Sequence, residues 1–219
     1  SWTNMVATQS ISGERKNKEN DLWLTGGLKI TPLKDWTINV DYTYNMYILS
    51  KKQHGKEILE HTANPDIVTV FPHTTPSRVK FTTDDNYYQT FNAYTDYSKS
   101  LGKHNIKLLL GYNYETKSYR WFNAERENLI SNDLAGLGQA YGEKYNGSGQ
   151  HSWATMGYFA RINYSFNDRY LFEANIRRDG SSRFAKGNQW GTFPSFSVGW
   201  LISEENFMKN LDWLDMFKI

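Results

Sequence analysis

With no cysteine in the chain, the side chains best suited to metal ligation are five histidines, His54, His61, His73, His104 and His151. None stands at H-E-x-x-H spacing from a second histidine, although His54, His61 and His73 share one polar connection and could meet in space. No metal and no cofactor is expected. The run Gly136–Gly142, "GLGQAYG", is one residue longer than a dinucleotide fingerprint and lies in a connection, so it reads as a flexible loop. No Ser-His-Asp order carries a G-x-S-x-G elbow. Asp84-Asp85 and Glu204-Glu205 read as solvated charges. Two features suit binding instead. "RRDGSSRF", from Arg177, joins cations to a Gly/Ser turn that could cradle an anion. Tyr119, Trp121, Phe122 and Trp153 fall near strand ends, where they form either an interface girdle or a stacking platform for a sugar or peptide. None of this argues for an enzyme.

The composition narrows the partners. Lys and Arg number 25 against 23 acidic residues, a net charge of +2, which does not suggest a nucleic-acid binder. Aromatic residues make up 16% of the 219, yet mean hydropathy is −0.69, so aromatics are expected on surfaces as well as in a core. No window approaches 18 consecutive apolar residues, so no membrane helix is expected. The start resembles neither an initiator nor a signal segment, and both ends read as cut from something longer.

The elements that must position these residues show period two, the side-chain alternation of a strand. Trp36, Ile38, Val40, Tyr42 and Tyr44 oppose Thr37, Asn39, Asp41 and Thr43. Stretches 106–115, 154–166, 170–177 and 196–202 alternate likewise, as does 22–30, and 87–97 more weakly. A poorer strand is expected near 3–11. In the apolar register chosen, these faces carry no charge. The opposite faces hold Lys29, Asp41, Asp96, Lys107, Arg161, Glu173 and Arg177. Short connections (31–35, 101–104, 166–169) alternate with longer ones (about 51–85, about 123–152, and 180–188). A soluble β-sandwich explains the two faces, but a transmembrane barrel with turns at one end and loops at the other also explains that asymmetry. The expected fold is therefore all-β, an antiparallel barrel segment of about seven or eight strands. In that reading Asp41, Asp96, Lys107, Arg161, Glu173 and Arg177 face a polar lumen, and outer-membrane lipid faces the other side. Ser203, with Glu204 and Glu205 behind it and Phe207, Leu211 and Leu214 at helical spacing, predicts a short amphipathic helix on the periplasmic side.

The stretch "RYLFEANIRRDGSSRFAKGNQWGTFPSFSVGWLISEENFMKN", 169–210, closely resembles the barrel of the SusC/RagA family, TonB-dependent outer-membrane transporters of Bacteroidetes. "DLWLTGGLKITPLKDWTINVDYTYNM" and "LGKHNIKLLLGYNYE" are similar to hairpins of that family. The resemblance implies a barrel of about 22 strands with a plug. It implies a SusD-like lipoprotein partner, TonB contact through the plug region, and import of oligosaccharides or peptides. It implies further that residues 1–219 are one partial barrel domain, without plug or TonB-contacting segment, in the bacterial outer membrane. The alternatives are a small self-contained barrel with a structural or adhesive role, and a soluble carbohydrate-binding sandwich.

Overall fold

A computed structural model describes residues 11–61, 66–71, 74–208 and 214–219. Its strands are β1 (Gly13–Leu33), β2 (Trp36–Gly55), β3 (Leu59–His61), β4 (Val68–Val70), β5 (Arg78–Leu101), β6 (His104–Glu127), β7 (Lys144–Phe166), β8 (Tyr170–Ser181) and β9 (Trp190–Trp200). Seven of them form one sheet in the order β1-β2-β5-β6-β7-β8-β9, while β3 and β4 make a separate small hairpin. The expected strand near 3–11 lies outside the described residues but for Ile11.

The short connections are tight because their residues tolerate the required backbone. Asn167 and Asp168 both have positive φ (54° and 55°), as a two-residue turn between right-twisted strands demands, and Gly102 does the same at φ 62° between β5 and β6. The longer connections are shorter than expected. β5 begins at Arg78, β6 runs to Glu127 and β7 begins at Lys144, so polar residues read as loop extend the strands. At about 3.3 Å per residue, the 24 residues of β5 have a contour length of roughly 80 Å, whereas a tilted membrane strand needs only about 10 residues. Beyond the apolar span polar residues predominate on both faces, so hydrophobic alternation weakens while backbone pairing continues. β8 likewise continues through Asp179 and Gly180, opposite Gly191 and Trp190, where a loop was expected to begin.

The chain divides into two compact units. One holds Ser1–Leu22, Asn45–Tyr87 and Ser118–His151, the other Trp23–Tyr44, Tyr88–Lys117 and Ser152–Ile219. The first has a small apolar cluster of Val79, Leu129 and Ala140 with Phe81, Ala135 and Leu137. It is pinned by the bonds Ile130 N to Gln139 O, Tyr141 N to Asn128 O and Gly142 N to Glu127 O. The "GLGQAYG" run is thus a hydrogen-bonded 3₁₀ turn, Leu137–Gln139, and not an open loop.

Among the described residues only Ile58, Val79, Leu129, Ala140 and Ile202 are buried hydrophobics. A sandwich needs a second sheet and an apolar core between the two. Among the described residues the only other sheet is the small β3-β4 hairpin, and no apolar core of sandwich size is present. β1 and β9 are not neighbours in it, so it is not a small closed barrel.

The helix expected after Ser203 does not start where predicted. Ile202–Glu204 is a 3₁₀ turn whose N-cap is Leu201, with no side-chain cap, and Leu211 lies outside the described residues. Ile202 N and Ser203 N both donate to Phe217 O, and Trp200 and Ile219 exchange both backbone bonds. Glu205 is occupied by Tyr170 Oη (2.6 Å), Trp200 Nε1 (3.1 Å) and Arg169 Nη1 (3.1 Å). These contacts hold the segment against the strand ends in place of a first helical turn, and they hold the Glu205 carboxyl below its ordinary range, the Tyr170 bond first among the causes.

Candidate functional site: a polar sheet face

In the second unit, β8 and β9 pair in an unbroken register from Tyr170↔Trp200 to Gly180↔Trp190. One face carries Tyr170, Phe172, Ala174 and Ile176 opposite Trp200, Val198, Phe196 and Pro194. These side chains stand in the open, Phe196 at 82% exposure and Val198 at 77%. Aromatic rows close the face at both ends. Tyr170 and Trp200 stack 6.2 Å apart at the turn end. Tyr112, Tyr158 and Trp190 form the other row, with spacings of 5.1 and 6.2 Å. The rows are ten register steps apart, roughly 33 Å along a strand. Tilted by about 40°, that spans about 25 Å, the height of a barrel's lipid-facing band.

Pro194 fits this ladder without a bulge. Leu201 N bonds Arg169 O and Ser181 N bonds Gln189 O, so odd β9 positions are the hydrogen-bonded pairs with β8. Pro194, at an even position opposite Ile176, turns its donorless nitrogen away from β8.

The other face of this unit is a hydrogen-bonded polar layer. Asn92 Nδ2 donates to Asp41 Oδ2 (2.6 Å) and Asn113 Nδ2 to Asn92 Oδ1 (2.5 Å), linking β2, β5 and β6. Arg161 Nε donates to Asn175 Oδ1, and Asn175 Nδ2 to Glu173 Oε1 (2.8 Å), linking β7 and β8. Arg177 Nε reaches both Asp179 oxygens at 2.8 and 2.7 Å. Its guanidinium lies 6.0 Å from the Phe159 ring centre. Two glycines make this layer possible. A Cβ on Gly111 would stand 2.1 Å from the Phe159 ring, and one on Gly157 would stand 2.3 Å from Asp179. Arg177, Asp179, Asn113 and Glu115 line a recess of about 480 Å³. Lys107 and Glu173 line another of about 680 Å³ nearer the turns. Asp96 is half-buried on β5, four residues beyond Asn92 and so on the same side of the strand.

In the first unit Lys51 Nζ (3.1 Å) and Tyr119 Oη (2.9 Å) meet on Asp84, and His151 packs 5.0 Å from the Tyr119 ring. Burial, then the Asp84 bond, pushes the Tyr119 phenol up. Trp121 lies against the backbone of β7, where a Cβ on Gly149 would be 2.5 Å from its indole. Phe122, one residue on, projects to the opposite face and is exposed. Trp153, in the second unit, carries the Arg183 guanidinium 4.6 Å over its ring. Tyr119 and Trp121 thus share a strand face, Phe122 leaves it, and Trp153 has its own cation.

His54 is buried with Nε2 unpartnered, and burial, then Lys56 and Lys52, pulls its pKa down. It sits eighteen residues along β2 from Trp36, well past the apolar span. His73 and the side chain of His61 lie outside the described residues.

Sequence reasoning missed Asn92, Asn113, Asn175, Asp179 and the Gly111–Phe159 pair. The signal was available for Asp179, two residues from Arg177 and thus on its face. The asparagines are uncharged and their bonding depends on cross-strand register, which the sequence does not display.

The model of the TonB dependent receptor-like, beta-barrel family matches residues 3–211. The chain belongs to that family. Members of the TonB-dependent receptor family are outer-membrane receptors and transporters, not enzymes. Among relatives, the chain is 32% identical over 199 residues to the TonB-dependent receptor SusC of Bacteroides thetaiotaomicron, covering 84% of this chain and 19% of that protein. It is 35% identical over 136 residues to the TonB-dependent receptor P39 of Formosa agariphila, covering 61% of this chain and 12% of that one. The chain thus spans a fifth or less of these relatives. The solved RagAB peptide transporter superposes with a TM-score of 0.82 over 100% of this chain and 23% of that one, at 19% identity, which establishes the shared fold.

Proposed function

We propose that this chain is a stretch of barrel wall in an outer-membrane transporter that takes up oligosaccharides or peptides. Its apolar face meets lipid and its polar face lines the passage. A SusD-like lipoprotein presents the ligand, and the TonB complex acts through a plug region to admit it. The observation that carries this reading is the pair of faces in the second unit: a bonded polar layer behind an apolar band about 25 Å tall between aromatic rows. SusC, a TonB-dependent receptor, supports the role of TonB, and RagAB, a peptide transporter, supports the peptide half of the ligand class.

The chain's own residues act by binding and positioning. Arg177 and Asp179 present a donor fork and a carboxylate over the recess. Asn113 and Glu115 add amide and carboxylate groups, a set suited to the polar backbone of a peptide or the hydroxyls of a sugar. The test is uptake by cells whose only copy of the receptor is an intact one carrying this segment. Deletion should abolish uptake of one ligand class, and Arg177→Gln or Asp179→Asn should weaken binding of that ligand by about five- to tenfold. Unchanged uptake of both peptides and oligosaccharides after deletion would overturn the proposal.

A further inference from the structure

On β8 the apolar face carries a cation set just inside the aromatic boundary. Arg178 lies on β8 beyond Ile176, opposite Thr192 on β9 and Tyr158 on β7. Tyr170, Phe172, Ala174 and Ile176 precede it on that face with no charge. Its guanidinium packs 5.2 Å from the Trp190 ring centre, and Trp190 stacks on Tyr158. Trp190 pairs with Gly180, one step of the alternation beyond Arg178 toward the long connections, so the side chain runs up the face of the indole. Gly180 makes this possible, since a Cβ there would stand 3.0 Å from the Trp190 ring. Among the described residues no carboxylate lies within ion-pair distance of Arg178. Its neighbour Asp179 is on the other face, committed to Arg177.

We infer that Arg178, held on the Trp190 ring that Tyr158 stacks against, binds the phosphate of a membrane lipid at the boundary of the band nearer the long connections. This rests on the membrane reading proposed above. A cation on a lipid-facing strand is tolerated near the interface because its stem stays in the apolar layer while its head reaches the polar one. An arginine there has no internal counter-charge to satisfy it. Lipid phosphate supplies that charge at the right depth and matches the guanidinium fork in geometry. The stacked rings fix the guanidinium in place, so little side-chain freedom is lost on binding.

The experiment uses an intact receptor carrying this segment in nanodiscs of neutral lipid. Bis-phosphorylated lipid A, its dephosphorylated counterpart and inorganic phosphate serve as probes, and bound lipid is counted by native mass spectrometry. The phosphorylated lipid should be retained about five- to tenfold over the dephosphorylated one, and Arg178→Gln should abolish the preference while Arg178→Lys keeps part of it. Inorganic phosphate alone should not bind measurably. Equal retention of the two lipids by the native protein would overturn the inference without any variant, as would an undiminished preference in Arg178→Gln or displacement of the lipid by inorganic phosphate. A receptor that fails to enter the nanodisc at all would instead overturn the membrane reading beneath it.

Discussion

Phe196→Arg is expected to destabilise the membrane-inserted state by about 2–4 kcal/mol, whereas Ser197→Arg, one residue away, should change it by less than about 1 kcal/mol. Phe196 stands near the middle of the ten-step span between the aromatic rows, opposite the small Ala174, with 82% of its surface exposed. A solvated protein would accept arginine at so open a position with almost no effect. In hydrocarbon the same charge loses its hydration and finds no carboxylate on that face. Ser197 points the other way, opposite Glu173, where an added cation gains an opposite charge across the strands. Urea unfolding of the receptor in bilayers, followed by the mobility shift of the folded form, measures both.

Gly111→Ala carries the second large effect. The added Cβ would lie 2.1 Å from the Phe159 ring tip, with two further ring atoms within 2.7 Å. The ring must leave its place over β6, and with it goes the surface beneath the Arg177 guanidinium. Overpacking of this kind costs about 1–3 kcal/mol. Combining Gly111→Ala with Phe159→Ala should remove most of that cost, giving a coupling energy of about 1 kcal/mol or more in a double-mutant cycle. Strict additivity of the two substitutions would show that the ring does not rest on Gly111. Gly157→Ala meets the ends of two flexible side chains, the Asp179 carboxylate and, at 3.3 Å, the Arg177 guanidinium, and should be milder.

Much of the sheet was legible because its apolar span obeys period two. The registers of 154–166, 170–177 and 196–202 place Arg161, Glu173 and Arg177 on one side and Phe172, Ile176 and Phe196 on the other, as the strand pairing does. The tight turns were legible from Gly102 and Asn167-Asp168. What failed to show was everything that depends on neighbours. Strand ends such as those at Arg78 and Lys144 are rich in polar residues, so little in their pattern separates them from loops. The segment after Ser203 has helical spacing, but the Ile202 and Ser203 donors go to Phe217 O and Glu205 binds the turn residue Arg169 and the strand residues Tyr170 and Trp200, of which only Trp200 is close in sequence. The polar layer was legible as charges and not as a network: Asp41 was visible, but its bond from Asn92, and the bond from Asn113 to Asn92, were not. Glycine is ambiguous in a sequence, and only the structure shows Gly111 and Gly149 lying beneath rings.

The central claim is that adjacent residues of β8 face lipid and a polar passage in turn. The chain has no cysteine, so single cysteines at Phe172, Glu173, Ala174, Asn175 and Ile176 can be introduced into an otherwise cysteine-free intact receptor in native membranes. A membrane-impermeant maleimide should label positions 173 and 175 and spare 172, 174 and 176, while a lipid-dissolved quencher should reach fluorophores at 172, 174 and 176 alone. Equal aqueous labelling at all five positions would contradict a membrane wall with two distinct faces.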